Sequence, residues 1–419
     1  MNTIEDATTS REQKPKTSQA KLAFFWVVLL VMLGGVVEFA AGRVLRLTHG
    51  YDGDHLLQYS FDSYKNIIPT PSYRDTRGVT HNAAGFRRAS EVERQKDSGK
   101  FRVFLMGGST AFGTGGLWPH IERRYPVLHD SVTIDHHIER MLKAARPDLD
   151  FEVINAAIPS TWTHHSFIYL SQTILLYQPD LVLFLDGFND FYQCESRHEQ
   201  FASYTYGERA TVIMGDPTLT ALIQANGWWL SRKSAAAYLA FRTFQQAGLL
   251  LKRTGERPPI DVQQCFAQAK RNLPENALRM WRRSAVLLAS EGVDAVFMMQ
   301  PMLMLERDRP GLTEIERRLL EFDVTSWPEG RESYIRQVVP WASDTARGTI
   351  VATGQRFLDL TGIYRDAQEQ VFTDYAHLTP RGNELLSRIV VDSILPLVAR
   401  RVPSRSRRAA EASAASYRP

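Results

Sequence analysis

Arg102-Val103-Phe104-Leu105-Met106-Gly107-Gly108-Ser109-Thr110 is an apolar run that breaks off in two glycines and a serine. A short apolar run without polar alternation suits a strand buried on both faces of a parallel sheet. Similar runs occupy 151–154, 181–186, 293–299 and 356–360. Between them lie residues with helical spacing: Val132, Ile138, Met141 and Leu142; Phe167, Leu170, Ile174 and Leu175; and Leu278, Trp281, Ala285 and Leu288. Such stripes mark the core-facing sides of helices. Strand and helix in alternation predict an α/β fold, a three-layer, doubly wound parallel sheet of five strands with right-handed crossovers.

In such a sheet, the residues that directly follow the strands gather at one edge. Ser109 follows the first run, Asn155-Ala156-Ala157-Ile158-Pro159-Ser160 the second, and Gly187-Phe188-Asn189-Asp190 the third. Far downstream stands Asp374-Tyr375-Ala376-His377, followed by Thr379 as a helix N-cap and Pro380 as the first residue of a helix through Leu385, Leu386, Ile389 and Val390. A serine becomes a nucleophile when an imidazole takes its proton and a carboxylate holds that imidazole in the right tautomer. Asp-x-x-His supplies both groups from one turn. Each block alone is an ordinary turn; their joint occurrence in this order carries the reading.

Over residues 79–398 the blocks resemble those of the SGNH (GDSL-type) hydrolase family. The resemblance implies Ser109 as nucleophile, His377 as general base and Asp374 as its orienting partner. It also implies an oxyanion hole built from the Ser109 N–H, the Asn189 amide and the N–H of Ala157. The family usually has glycine where Ala157 stands, and a backbone N–H survives that exchange. Gly108 replaces the aspartate of the best-known Gly-Asp-Ser spelling, and Gly-Gly-Ser-Thr openings are familiar in bacterial branches. Asn82-Ala83-Ala84-Gly85-Phe86-Arg87 is similar to the lead-in of membrane-attached members. The resemblance implies neither cofactor nor metal.

Three neighbouring patterns lead elsewhere and fail. Gly108 to Gly113 has P-loop glycine spacing, but Thr114-Gly115 stand where Lys and Ser/Thr would reach phosphate and magnesium. The α/β-hydrolase elbow Gly-x-Ser-x-Gly fails because Ala111 takes the final glycine position. His136-His137 and His164-His165 are adjacent pairs and lack the i, i+4 spacing of a two-histidine metal face.

The chain has 419 residues, 44% hydrophobic and 23% charged, enough for one full core plus insertions. Its net charge of +4 owes much to the tail Arg400-Arg401 through Arg407-Arg408, which does not suggest nucleic-acid binding. Residues 22–42 are read as one transmembrane helix, since about twenty apolar residues span roughly 30 Å of hydrocarbon. Glu38 is expected to reach toward the far interface. Lys14, Lys16 and Lys21 precede the span and Arg43 and Arg46 follow it. With the resemblance, this places 1–21 in the cytoplasm and the catalytic domain outside the inner (cytoplasmic) membrane, facing the periplasm or cell exterior. The remaining division is a connector at 43–78, the hydrolase domain at 79–398 with insertions at about 194–274 and 302–345, and a disordered basic tail at 399–419. The first insertion carries Tyr204, Tyr206, Trp228, Trp229, Tyr238 and Phe241, as packing for a helical subdomain or as a glycan-binding wall. Cys194 and Cys265 are the two cysteines, available for one disulfide in an oxidising compartment.

The expected activity is an extracytoplasmic serine esterase that removes O-acyl groups, acetyl above all, from a cell-surface or exported polysaccharide through an acyl-serine. Its expected partners are an acylated carbohydrate or other ester and the membrane, with no nucleic acid. A polysaccharide O-acetyltransferase, a non-catalytic glycan-binding or assembly protein, and a lipase or thioesterase are the competing readings.

Overall fold

The computed structural model describes residues 17–49, 59–62, 66–75, 78–115, 128–159, 161–191, 230, 234–240, 243, 259–326 and 328–402. Helix α1 spans Thr17–His49. A two-stranded antiparallel ribbon follows, β1 (Tyr59–Asp62) and β2 (Asn66–Pro69). The main sheet comprises β3 (Lys100–Gly107), β4 (Asp150–Asn155), β5 (Leu181–Asp186), β6 (Asp294–Met299) and β7 (Arg356–Asp359). All of its pairings are parallel, in the order β4-β3-β5-β6-β7. Every residue of β5 is buried, as expected of a central strand covered on both faces.

Helices α2 (Ser109–Phe112), α3 (Ile134–Ala145), α4 (Thr163–Gln172), α5 (Phe188–Phe191), α6 (Val262–Glu275), α7 (Ala277–Ser290), α8 (Glu314–Ser326), α9 (Arg331–Val351) and α10 (Pro380–Arg401) complete the domain. One flanking group packs α3 against α10, the other joins α7 to α4 and α6, with α9 against α6 and β7. From β3 the chain goes first to β4 on one side, then to β5 on the other. That reversal opens the crevice in which doubly wound sheets bind their ligands, between the ends of β3 and β5.

All five strands lie where the apolar runs put them, and Leu278, Trp281, Ala285 and Leu288 are buried together on α7. Phe167 is only half-buried. Because α4 turns Ser166, Tyr169 and Leu170 inward, Tyr169 takes the core place. Val132 lies in a single 3-10 turn ahead of α3. Much of the second expected insertion, 302–345, is α8 and the first part of α9, on the crossover from β6 to β7. The expected tail begins too early. Arg400 and Arg401 are the last turn of α10 and pair with Asp294 at 2.6 Å each, cations at a helix C-terminus meeting an acid. The tail beyond 402 lies outside the described residues, as do Tyr204, Tyr206, Trp228, Trp229 and Phe241 of the first insertion.

The span Lys21–Leu45 of α1 is long and apolar enough to cross a membrane. Glu38 has partners within the chain. Its carboxylate accepts hydrogen bonds from the Ser234 hydroxyl (2.6 Å) and from the N–H groups of Ala235 and Ala236, the start of the helical run 235–240. Ala41 and Leu45 are buried on the same side of α1, and the Ala235 Cβ lies 3.9 Å from where Gly42 would carry one. At i, i+3, i+4 and i+7, these four positions form one helical stripe. A segment of the first insertion docks there.

Candidate active site

β3 ends on Gly107, whose φ is 142°. A Cβ there would lie 2.1 Å from the Leu185 carbonyl of β5, so only glycine lets the chain leave the sheet this close to its neighbour. Two residues on, Ser109 opens α2. The first N–H groups of a helix have no acceptor within it, which leaves the Ser109 N–H without an acceptor inside α2.

The residues facing Ser109 come from a tight hairpin. Phe372 bridges Leu378, the Thr373 N–H donates to the His377 carbonyl (2.9 Å), and the Thr379 N–H to that of Val371 (2.9 Å). Thr379 caps α10 through its side chain, which accepts from the Gly382 N–H, with Pro380 as the first helical residue. At the hairpin tip, Asp374 Oδ1 accepts the N–H groups of Ala376 and His377, each at 2.9 Å. The same carboxylate lies against His377 Nδ1, at 2.7 Å from Oδ2. His377 Nε2 lies 2.7 Å from Ser109 Oγ. With Nδ1–H donated to an acceptor-only carboxylate, Nε2 presents its lone pair to the serine O–H.

Asp374 is fully buried, and burial alone would raise its pKa. The attraction and hydrogen bond of His377, with the two backbone donors, outweigh that and hold it below the ordinary carboxylate value. It remains ionised, as an orienting partner must.

Asn189 stands on α5, behind Gly187 at the end of β5. Its Nδ2 donates one hydrogen to the Thr161 carbonyl at 2.8 Å, and the position at which Gly108 would carry a Cβ lies 3.1 Å from that nitrogen. One bond fixes the amide against the Ser109 turn and leaves its second hydrogen for an incoming oxyanion. Ala157 has a partner within its own loop. Its N–H donates to the Asn155 side-chain oxygen at 3.1 Å, and the residue is buried. Asn155 Nδ2 is held in turn by the Ala111 carbonyl (3.0 Å) and Asp135 (2.7 Å). The Ala157 N–H is thus engaged by a neighbouring side chain, and among the described residues the Ser109 N–H and the Asn189 amide are the donors we propose for the site.

Other groups shaping the site carried no recognisable signal. Asp190 accepts the Thr163 hydroxyl at 3.0 Å, and burial pushes its pKa up to about 8, helped by the charge of Asp186. Asp186 accepts from Ser166 (3.2 Å) and from the Gly108 N–H, and burial raises it to about 6. The Glu316 carboxylate, fully buried against Arg309, accepts the N–H groups of Val371 (3.0 Å) and Phe372 (3.2 Å), so α8 steadies the hairpin bearing Asp374 and His377. Among the paired histidines, His165 Nδ1 accepts the Trp162 N–H (3.3 Å) at the start of α4, and burial holds its pKa down to about 4. Among the described residues no group of three or more His, Cys, Asp or Glu could hold a metal. Cys265, buried on α6, is disulfide-bonded; its expected partner Cys194 lies outside the described residues.

Sheet order and relay together put a Ser–His–Asp arrangement at the strand ends of a five-stranded parallel α/β sheet, the architecture that the sequence resemblance implies. No protein-family model matches the sequence, and no curated protein matches it. Among solved structures, the chain is similar to Axe2, an acetylxylan esterase from Geobacillus stearothermophilus, at 12% identity and TM-score 0.35, over 70% of this chain and 94% of that one. It is also similar to a lipase/acylhydrolase from Enterococcus faecalis, at 16% identity and TM-score 0.35, over 70% and 95%. A third is the acetyl xylan esterase AlAXEase, at 10% identity and TM-score 0.35, over 70% and 100%. The chemistry of the site stands on its own distances.

Proposed function

We propose that the chain is a membrane-tethered serine esterase with its active site outside the cytoplasm, removing O-acyl groups, acetyl first among them, from a cell-surface or exported polysaccharide. The observation that carries the chemistry is the continuous relay from Ser109 Oγ to His377 Nε2 (2.7 Å) and from His377 Nδ1 to Asp374 (2.7 Å). Ser109 Oγ attacks the ester carbonyl as Nε2 takes its proton. The new oxyanion is met by the Ser109 N–H and the Asn189 amide. On collapse, the departing sugar oxygen takes the proton from His377 and leaves the acyl group on Ser109. Water, deprotonated by the same imidazole, then releases the acid and restores the serine. Asp374 holds the tautomer throughout.

The location is supported by the apolar helix α1 and by the disulfide at Cys265, a bond that persists in oxidising compartments. A sugar substrate is supported by the Tyr375 ring, half-buried between Asp374 and His377 and stacked on Phe188 at 4.7 Å between centroids. Aromatic faces placed beside a site suit the apolar face of a pyranose. The test is intact-mass analysis of the full-length chain in detergent after exposure to a fluorophosphonate. One adduct on the parent and none on Ser109→Ala is expected, with release of acetate from acetylated polysaccharide lost in the same variant. A folded parent that takes no adduct would overturn the assignment.

A further inference from the structure

The loop that leaves β6 carries none of the motif residues, yet it touches both halves of the relay. Gln300 directly follows β6 and is buried, its N–H donating to the Asp186 carbonyl at 3.1 Å. Its side-chain Nε2 donates to the Thr110 hydroxyl at 3.3 Å. The Thr110 hydroxyl has one proton, and it goes to the Ala376 carbonyl at 3.0 Å. Thr110 is the residue after Ser109, and Ala376 the residue before His377. Three residues further along the β6 loop, the Leu303 N–H donates to the Tyr375 carbonyl at 2.9 Å.

We infer that Thr110 and Gln300 are positioning residues: Gln300 orients the Thr110 hydroxyl, whose bond to the Ala376 carbonyl sets the gap between Ser109 and His377. The inference rests on the esterase reading for its catalytic consequence, though not for its geometry. Nucleophile and base lie 268 residues apart and sit on separate elements. Their alignment therefore depends on whatever ties those elements together, and the Thr110 bond joins them one residue away from each reacting side chain. The Thr110 side chain is buried, so its single donor cannot turn away without leaving the Ala376 carbonyl unpaired. Reacting groups shifted by about 1 Å lose on the order of 10²-fold in rate.

The experiment compares parent, T110V, T110S and Q300L as full-length protein in detergent, each checked for cooperative melting. T110V is expected to lower the second-order rate of fluorophosphonate labelling, and kcat on an acetyl ester, by about 10²-fold with KM nearly unchanged. T110S keeps the hydroxyl and stays near the parental rate. Q300L falls between them, and the double variant T110V/Q300L is no slower than T110V alone, because both changes cut one chain of bonds. A T110V that labels at the parental rate, or a T110S that falls as far as T110V, overturns the inference. The His377 imidazole is followed in the same proteins by 15N NMR across pH. The brace requires its Nδ1 proton signal to move in T110V and return in T110S. If the parent takes no adduct, the esterase reading fails alone. An unmoved imidazole in T110V then overturns the brace on its own evidence.

Discussion

The loops that end β3 and β4 leave neighbouring parallel strands at the same edge, and each carries a small residue with a backbone N–H that sequence alone would aim at the substrate. Their N–H groups differ in what competes for them. Ser109 begins a helix, where the N–H has no acceptor of its own. Ala157 sits two residues after an asparagine whose side chain folds back and takes the N–H at 3.1 Å. A donor's value to a reaction depends on what else competes for it, and the β4 loop spends its donor on building the wall behind Ser109.

Exchanging the two asparagines tests that contrast, and it carries the largest effect expected from either loop. Asn189→Ala removes a donor aimed at the oxyanion and is expected to cost about 10²–10³ in kcat, near 2.7–4 kcal/mol, with little change in melting temperature. Asn155→Ala should do the reverse. It strands the Ala157 N–H and the Ala111 carbonyl inside the fold, at about 1–3 kcal/mol for each buried group left unpaired, and lowers the melting temperature while the folded fraction keeps its kcat. Thermal melts and single-turnover rates on the two variants decide it. A large loss of kcat in Asn155→Ala at full occupancy would return Ala157 to the oxyanion hole.

Asp190, one residue beyond Asn189, extends the comparison to pH. Its pKa, raised from 3.8 to about 8 by burial, means the folded chain holds a proton that the unfolded chain releases near pH 4. The stability it contributes is complete below about pH 4 and is lost as pH rises toward 8. Asp374 has the opposite sign: its lowered pKa contributes stability above the ordinary carboxylate value, lost as pH falls through the folded one. Asp190→Asn keeps a neutral, hydrogen-bonding side chain against Thr163. Melting temperature should therefore fall between pH 5 and pH 8 in the parent and run flatter in the variant. Equal slopes would mean that Asp190 is ionised in the fold.

What was legible in the sequence follows from range. Strands were legible because burial on both faces forces unbroken apolar runs, and Ser109, Asn189 and His377 because strand ends and a Thr-Pro helix start fix where the chain turns. The fate of the Ala157 N–H was not, since Asn155 is equally free to point elsewhere until Asp135 and Ala111 hold its amide. Gln300 and Glu316 were invisible for a stronger reason: their partners lie 190 and 55 residues away, and no local pattern marks a residue whose role exists only across the sheet edge.

Glu38 shows the same limit and gives the smallest effect. Read alone in an apolar helix, it is a charge that must reach for water; folded, it accepts the first N–H groups of the run 235–240, engaged donors like that of Ala157. Losing such a cap typically costs about 0.5–2 kcal/mol, too little to unfold the domain but enough to loosen one segment. In full-length protein, Glu38→Ala should raise deuterium uptake in peptides covering 234–240 and leave the β3 and β5 peptides unchanged. Cysteines at Gly42 and Ala235, whose Cβ positions lie 3.9 Å apart, suit the Cβ spacing of about 3.8 Å in a disulfide, and should cross-link in the parent sequence and less readily beside Glu38→Ala. If the pair fails to cross-link with Glu38 intact, α1 does not hold the insertion in place; if it forms, the helix long and apolar enough to cross a membrane also carries part of the insertion that departs from the Asn189 loop.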